Sequence, residues 1–386
     1  MSDNQTSRRE FLRASVLTSA LFGAEGALTG REGRGVAANG GEARNVILMV
    51  SDGMNHGALS LARQYQGLVV QEESNWMRMY RERPVVRCLA ETFSANSCVT
   101  DSAAAASAWG GGQKFFSEAL RAGYEAAGYE VVTSRRALRR AKPQAMKPIL
   151  GIFAEGHLPF SIDRNHVEVI AEQVPTLKEM TEAALGRLQE AAGGFFLLVE
   201  GARIDHAGHA NDAAASIHDQ LAFDEAIGAA LSFVEAHPDT LLIVTTDHGC
   251  GGIQMNGVSA DANQGFGPGL YNASHASFDR IRGFERSMEW MKQNGIDALS
   301  GEKLGVALKR FTGLELTVEE VKMAQGIKAG WQEIVKGRTG IGWTSGHHTG
   351  ELVEFCAYGP GSGSFPAFGR NFEVHDLILK AFRMAA

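Results

Sequence analysis

Cysteine is scarce in this 386-residue chain, and its four copies, Cys88, Cys98, Cys250 and Cys356, form no CxxC pair. Spacing therefore fixes neither a disulfide connectivity nor a paired-thiol motif, although an exported chain could oxidise them. Cys88 and Cys356 lie in apolar runs that suit buried thiols, and none of the four is assigned a function. Positive charge is also short. The chain carries 37 Lys and Arg against 44 Asp and Glu, a formal net charge of −7, which removes any electrostatic case for nucleic-acid binding. The mildly apolar stretch 14–22 is too short to cross a membrane as a stable helix. Internal repeats are missing, and low complexity is confined to alanine and glycine patches. What is present, 44% hydrophobic residues, is enough to bury the core of one globular α/β unit.

Three apolar runs end in residues that carry chemistry. Phe195-Phe196-Leu197-Leu198-Val199 leads into Glu200-Gly201-Ala202-Arg203-Ile204-Asp205-His206-Ala207-Gly208-His209. Val46-Ile47-Leu48-Met49-Val50 leads into Ser51-Asp52-Gly53, and Leu241-Leu242-Ile243-Val244 leads into Thr245-Thr246-Asp247-His248-Gly249. Each run reads as a buried strand, and open α/β sheets place their chemistry outside the carboxyl ends of parallel strands. Asp205 and His209 are four apart, so one helical turn aims both the same way. Taken singly, an Asp after a strand is a turn residue or helix cap, and a lone His is an ordinary polar side chain. Three such ends together predict a metal centre, because carboxylates and imidazoles suit zinc and, for the acids, magnesium.

Between the first and second ends stands Thr100-Asp101-Ser102 ahead of the run Ala103-Ala104-Ala105-Ala106. Alanine favours helix, and a helix start offers free N–H groups and a dipole that attract an anion. Asp101 or Ser102 could serve only as the cap. Beside metal ligands, Ser102 can also be a nucleophile toward a phosphoryl group.

These pieces resemble the alkaline phosphatases. The resemblance rests on Val50-Ser51-Asp52-Gly53-Met54, Thr100-Asp101-Ser102-Ala103, the Val199 to His209 stretch, Thr246-Asp247-His248-Gly249 and Gly346-His347-His348-Thr349-Gly350-Glu351, in the family's order. It implies a mostly parallel central sheet flanked by helices in three layers, with a cap or crown insertion. It implies that Ser102 is the phosphorylated nucleophile of a zinc-dependent phosphomonoester hydrolase. One zinc is then expected on Asp205, His209 and His348, and a second on Asp52, Asp247 and His248. Asp52 is also expected to be shared with a magnesium ion that uses Glu200. His348 is preferred to His347 because it immediately precedes Thr349-Gly350. Asp101 and His206 are expected beside the ligands, not among them. Two such ions can clamp the attacking and leaving oxygens of an in-line displacement.

One departure is large. In the family, a long segment after the serine helix carries the remaining magnesium ligands and an arginine that clamps phosphate. Here Trp109 runs straight into Gly110-Gly111-Gly112-Gln113-Lys114-Phe115-Phe116, which resembles the family's later stretch leading to the Glu200 strand. A competing alignment makes Arg135 the clamp. It ranks lower, because the flanks of Arg135 fit the later stretch, and Arg135, Arg136, Arg139 and Arg140 read as a solvated basic helix face. A lost phosphate clamp commonly costs on the order of 3 kcal/mol, about a hundredfold in rate. Lost central strands would also expose apolar edges. Two alternatives follow: a phosphodiester or sulfate-ester hydrolase of the same superfamily, or a metal-binding remnant with little catalysis.

Ser7-Arg8-Arg9-Glu10-Phe11-Leu12-Arg13 and the apolar stretch behind it resemble a twin-arginine export signal, with a cleavage site near Val36-Ala37-Ala38. Residues 1–41 are thus expected to be signal and flexible junction, and 42–386 the catalytic domain, with 257–343 as the insertion. The product is expected outside the cytoplasm, periplasmic or extracellular, acting on small phosphate monoesters, with a homodimer as the expected assembly. Helical periodicity predicts helices over 176–192, 212–237 and 278–294, and a helical patch over 319–335.

Overall fold

A computed structural model describes residues 41–92, 99–100, 102, 125, 128–141, 147–256, 274–326, 330–371 and 373–382. The export signal, Asp101, Cys98 and the Gly110 to Phe116 stretch lie outside the described residues.

Six strands build the central sheet: β1 (Asn45–Val50), β2 (Val86–Glu91), β3 (Phe196–Glu200), β4 (Thr240–Thr245), β5 (Val353–Tyr358) and β6 (Phe368–Arg370). Their order is β6-β2-β5-β4-β1-β3. β1 pairs in parallel with both β3 and β4, while β5 runs antiparallel to β4 and β2. The sheet is therefore mixed but mostly parallel, with β1 buried along its whole length as a central parallel strand requires.

Alternation along the strands feeds two cores. Ile47, Met49, Leu242, Val244 and Cys356 face one side, where the helix α2 (Ala213–Ala236) covers them with Ile217, Phe223 and Ile227. Val46, Leu48, Leu241, Ile243, Cys88 and Phe355 face the other, under Val374 and Ile378 of the helix Glu373–Ala381. Cys88 and Cys356 thus occupy opposite faces of adjacent strands and cannot meet. At the β3 edge, Leu198 pairs with Leu48 and Phe196 with Val46, so both share the second face. They are 50% and 46% exposed, and among the described residues that end of the sheet is uncovered.

Local signals set the helices. Thr176 and Glu179 form a reciprocal capping box that starts Leu177–Leu188, and Asp212 caps α2 through the Ala215 amide. The region expected as one helix over 278–294 is two, Ser274–Arg282 and Met288–Gln293. The first helix closes with the Gly283 and Phe284 amides on the Arg280 and Ile281 carbonyls, and the Glu285 amide turns away to the Phe311 carbonyl. Two buried carboxylates then fix the start of the second helix: Asp163 accepts from the Ser287 amide and hydroxyl, and Asp212 accepts from the Met288 amide. The 319–335 patch likewise divides into Val318–Gly326 and Gly330–Thr339. Phe278, Ile281, Met288, Leu308 and Trp331 of this region join the same core as the sheet.

Candidate active site

Asp52 lies two residues beyond β1, Glu200 ends β3, and Asp247 lies two beyond β4. Three neighbouring parallel strands thus deliver carboxylates to one edge. Gly53 turns the chain there with φ +70°, and a Cβ on it would stand 2.7 Å from Asp205. Only glycine lets the β1 turn lie so close to the helix α1 (Arg203–Ala210), which carries Asp205 and His209 on one face.

His348 completes the first group. His209 Nδ1 donates to the Gly346 carbonyl at 2.8 Å, and His348 Nδ1 donates to the Thr100 carbonyl at 2.8 Å. A carbonyl only accepts, so each ring carries a hydrogen on Nδ1, and Nε2 is the atom that each ring can offer to a metal. The two Nε2 atoms face each other across 3.0 Å. Asp205 Oδ2 is 3.4 Å from His209 Nε2, and Asp205 Oδ1 is 3.4 Å from His348 Nε2. Oδ1 is buried without a hydrogen-bond partner. Zinc–nitrogen and zinc–oxygen bonds of about 2.0–2.1 Å would give a tetrahedron with edges of about 3.3–3.4 Å, so this donor set fits such an ion.

The second group is Asp52, Asp247 and His248. Asp247 Oδ1 accepts from the Gly53 and His248 amides, each at 3.0 Å, which leaves Oδ2 free at 3.2 Å from His248 Nε2. Burial, reinforced by Asp247, Asp205 and Glu200, pushes the Asp52 carboxyl up to about 10. Burial holds His248 below the usual imidazole value despite the pull of Asp247. Four gathered carboxylates need positive charge, which a divalent cation supplies. The two groups adjoin: the His248 and His348 rings stack at 3.7 Å between centroids.

Ser102 stands on the second group. Its hydroxyl donates to Asp52 Oδ1 at 3.2 Å, and its oxygen is 3.0 Å from His248 Nε2. The seven residues Asp52, Ser102, Asp205, His209, Asp247, His248 and His348 are thus drawn into one site.

Other expected residues sit differently. Glu200 hydrogen-bonds to Asp52, and partial burial and Asp247 raise its carboxyl. Among the described residues no third carboxylate or imidazole joins that pair as a group. His206 turns to Arg203, whose Nη1 donates to its Nδ1 at 2.8 Å, and its ring rests on His157 at 4.3 Å. Arg135 is not solvated as its basic face suggested. Its Nε donates to both Glu179 oxygens at 3.0 and 2.8 Å, and its Nη1 to the Ala171 carbonyl. Sequence reasoning passed over Cys250, which stands with Asp205, His209 and His348. The available signal was its place two residues after His248.

The family model for alkaline phosphatase matches residues 43–123 and 112–384. The chain belongs to the alkaline phosphatase family. The two matched stretches overlap over residues 112–123. Alkaline phosphatase 4 of Bacillus subtilis is 32% identical over 286 residues, 71% of this chain and 57% of that relative. The repressible alkaline phosphatase of Saccharomyces cerevisiae is 34% identical over 239 residues, 55% of this chain and 39% of its own length. The chain spans little more than half the length of two curated relatives from Bacillus subtilis, 57% and 54%. In three dimensions it superimposes on the crystal structure of Thermus thermophilus alkaline phosphatase with a TM-score of 0.78 at 26% identity, covering 90% of this chain and 93% of that one. No helix among the described residues is long and apolar enough to cross a membrane.

Proposed function

We propose that the chain is a zinc-dependent phosphomonoester hydrolase that works through a phosphoserine at Ser102. The observation that carries this reading is the position of the Ser102 oxygen, 3.2 Å from Asp52 and 3.0 Å from His248, within reach of two adjoining donor groups. Asp205, His209 and His348 would hold one zinc, and Asp52, Asp247 and His248 the other. When bound, the pair supplies positive charge to the attacking and leaving oxygens of an in-line displacement. Ser102 gives up its proton to solvent as its oxygen bonds to phosphorus, and the bond from phosphorus to the leaving oxygen breaks, that oxygen taking a proton from solvent to leave as the alcohol. Water then returns the serine and releases phosphate.

Asp52 and Glu200 would contribute to a magnesium site with most of its shell left to water, hence a weak one. Export through the Arg8-Arg9 signal, small phosphate monoesters as substrates and a homodimeric assembly belong to the same reading. A metal-binding protein with little turnover is the second reading, favoured by the engagement of Arg135 with Glu179. Zinc-loaded protein and its Ser102→Ala variant, assayed on a chromogenic aryl phosphomonoester and on the matching diester, separate the readings. Monoester turnover that depends on Ser102 supports the first. Full zinc content without turnover supports the second, and preference for the diester contradicts both.

A further inference from the structure

The geometry points to Cys250 as a fourth, sulfur ligand of the metal held by Asp205, His209 and His348. This inference rests on the metal reading above and goes beyond the ligand set that the family resemblance implies.

Three features place the thiol. The two-residue strand Gly249–Cys250 pairs antiparallel with His348–Thr349, and Cys250 is directly opposite His348. Directly opposed residues project to the same face with Cβ atoms about 5 Å apart. From the other side, Gly208 of α1 approaches so closely that a Cβ on it would lie 2.9 Å from Cys250 Cβ and 3.0 Å from Sγ. Any larger residue at 208 would push the helix, and with it Asp205 and His209, away from the sulfur. As a result Sγ lies within 4.8 Å of donor atoms on Asp205, His209 and His348.

A buried cysteine is ordinarily a small apolar filler. Cys88 and Cys356 behave so, each packed in one of the hydrophobic cores. Cys250 belongs to neither core, although it is only 1% exposed. Its surroundings are a carboxylate and imidazoles. The independent pointer to a ligand is Asp205, 5% exposed, whose Oδ1 is buried there without a hydrogen-bond partner.

Ligation forms one metal–sulfur bond and releases the thiol proton to solvent. With sulfur added, one carboxylate oxygen, two imidazole nitrogens and one thiolate would hold the ion, and a reacting oxygen would enter as a fifth donor. A thiolate also biases the site toward zinc and against magnesium. The two donor groups therefore differ in kind, the Ser102 side being all nitrogen and oxygen.

X-ray absorption at the zinc edge of the full chain loaded with two zinc ions tests this. The expected result is a sulfur shell at about 2.3 Å, one sulfur per two zincs, beside nitrogen and oxygen at about 2.0–2.1 Å. The shell should vanish in Cys250→Ser and Cys250→Ala. It should persist when Cys88, Cys98 and Cys356 are changed to Ser together, a variant that leaves residue 250 untouched and so decides the case even if the Cys250 variants fold poorly. Zinc bound by nitrogen and oxygen alone, or a shell lost in the triple variant, overturns the inference while sparing the metal site. Failure of the wild-type chain to bind zinc overturns both.

Discussion

His209 Nε2 and His348 Nε2 face each other at 3.0 Å while backbone carbonyls hold both of their Nδ1 hydrogens. Two nitrogens in that position need a proton or a metal cation between them, and the Asp205 carboxylate closes the third side. The histidines are 139 residues apart in the chain, so the pairing is a product of the fold.

Zinc stoichiometry should report both groups. Changing His348 to Ala removes a donor from the first and changing His248 to Ala removes one from the second. Each should lower bound zinc by about one ion, since a site with few protein ligands tolerates loss poorly. Metal analysis after gel filtration checks this, and two variants with unchanged content would contradict it.

Arg135 should matter to stability and not to phosphate. Burial alone would raise the Glu179 carboxyl, but Arg135, the Thr176 amide and Arg139 outweigh it and hold it at about 2. A carboxyl lowered on folding adds stability above its unfolded value, roughly 4.3, and loses it as pH falls toward 2. Changing Glu179 to Gln should therefore flatten the acid limb of the melting temperature between about pH 5 and 2. Changing Arg135 to Ala should lower the melting temperature at neutral pH and leave turnover and phosphate inhibition as they were. Loss of phosphate inhibition in that variant would make Arg135 the clamp.

Magnesium should activate weakly. Glu200 and Asp52 leave much of an octahedral shell to water, so half-maximal activation should need millimolar magnesium, read by titration at fixed zinc. Changing Glu200 to Ala should remove that response with zinc content unchanged. Tight, submicromolar activation would show a fuller ligand set.

The β3 edge, uncovered among the described residues, should drive association. Phe196 and Leu198, half exposed on one face, are the kind of apolar edge that a covering element normally hides. Phe196→Lys with Leu198→Thr should reduce concentration-dependent light scattering without changing zinc content. Unfolding of the double variant would mean instead that another part of the chain packs there.

Much of this was legible in the sequence because it is local. The runs at Val46, Phe196 and Leu241 carry their strand character in consecutive residues, and Asp205 and His209 need only one helical turn to align. The ends of α2 follow from Asp212 and the apolar spacing behind it. What sequence pattern missed depends on partners distant in the chain. The restart of the helix at Ser287 is fixed by Asp163 and Asp212, which accept its and Met288's hydrogens from 124 and 76 residues away. Arg135 looked solvated because Glu179, its partner, is 44 residues on. Cys250 read as an unremarkable thiol until the pairing with His348 and the close approach of Gly208 set it among polar groups.

The most direct test of the central claim is to trap the reaction on the protein. Zinc-loaded enzyme mixed with an aryl phosphomonoester, quenched in acid during the first turnover and digested, should yield one phosphorylated peptide with phosphate on Ser102. The Ser102→Ala variant should keep its zinc, lose that peptide and the burst of product, and retain no more than about a thousandth of the turnover. Phosphate on another residue, or a burst that survives in Ser102→Ala, would contradict the assignment of Ser102 as nucleophile.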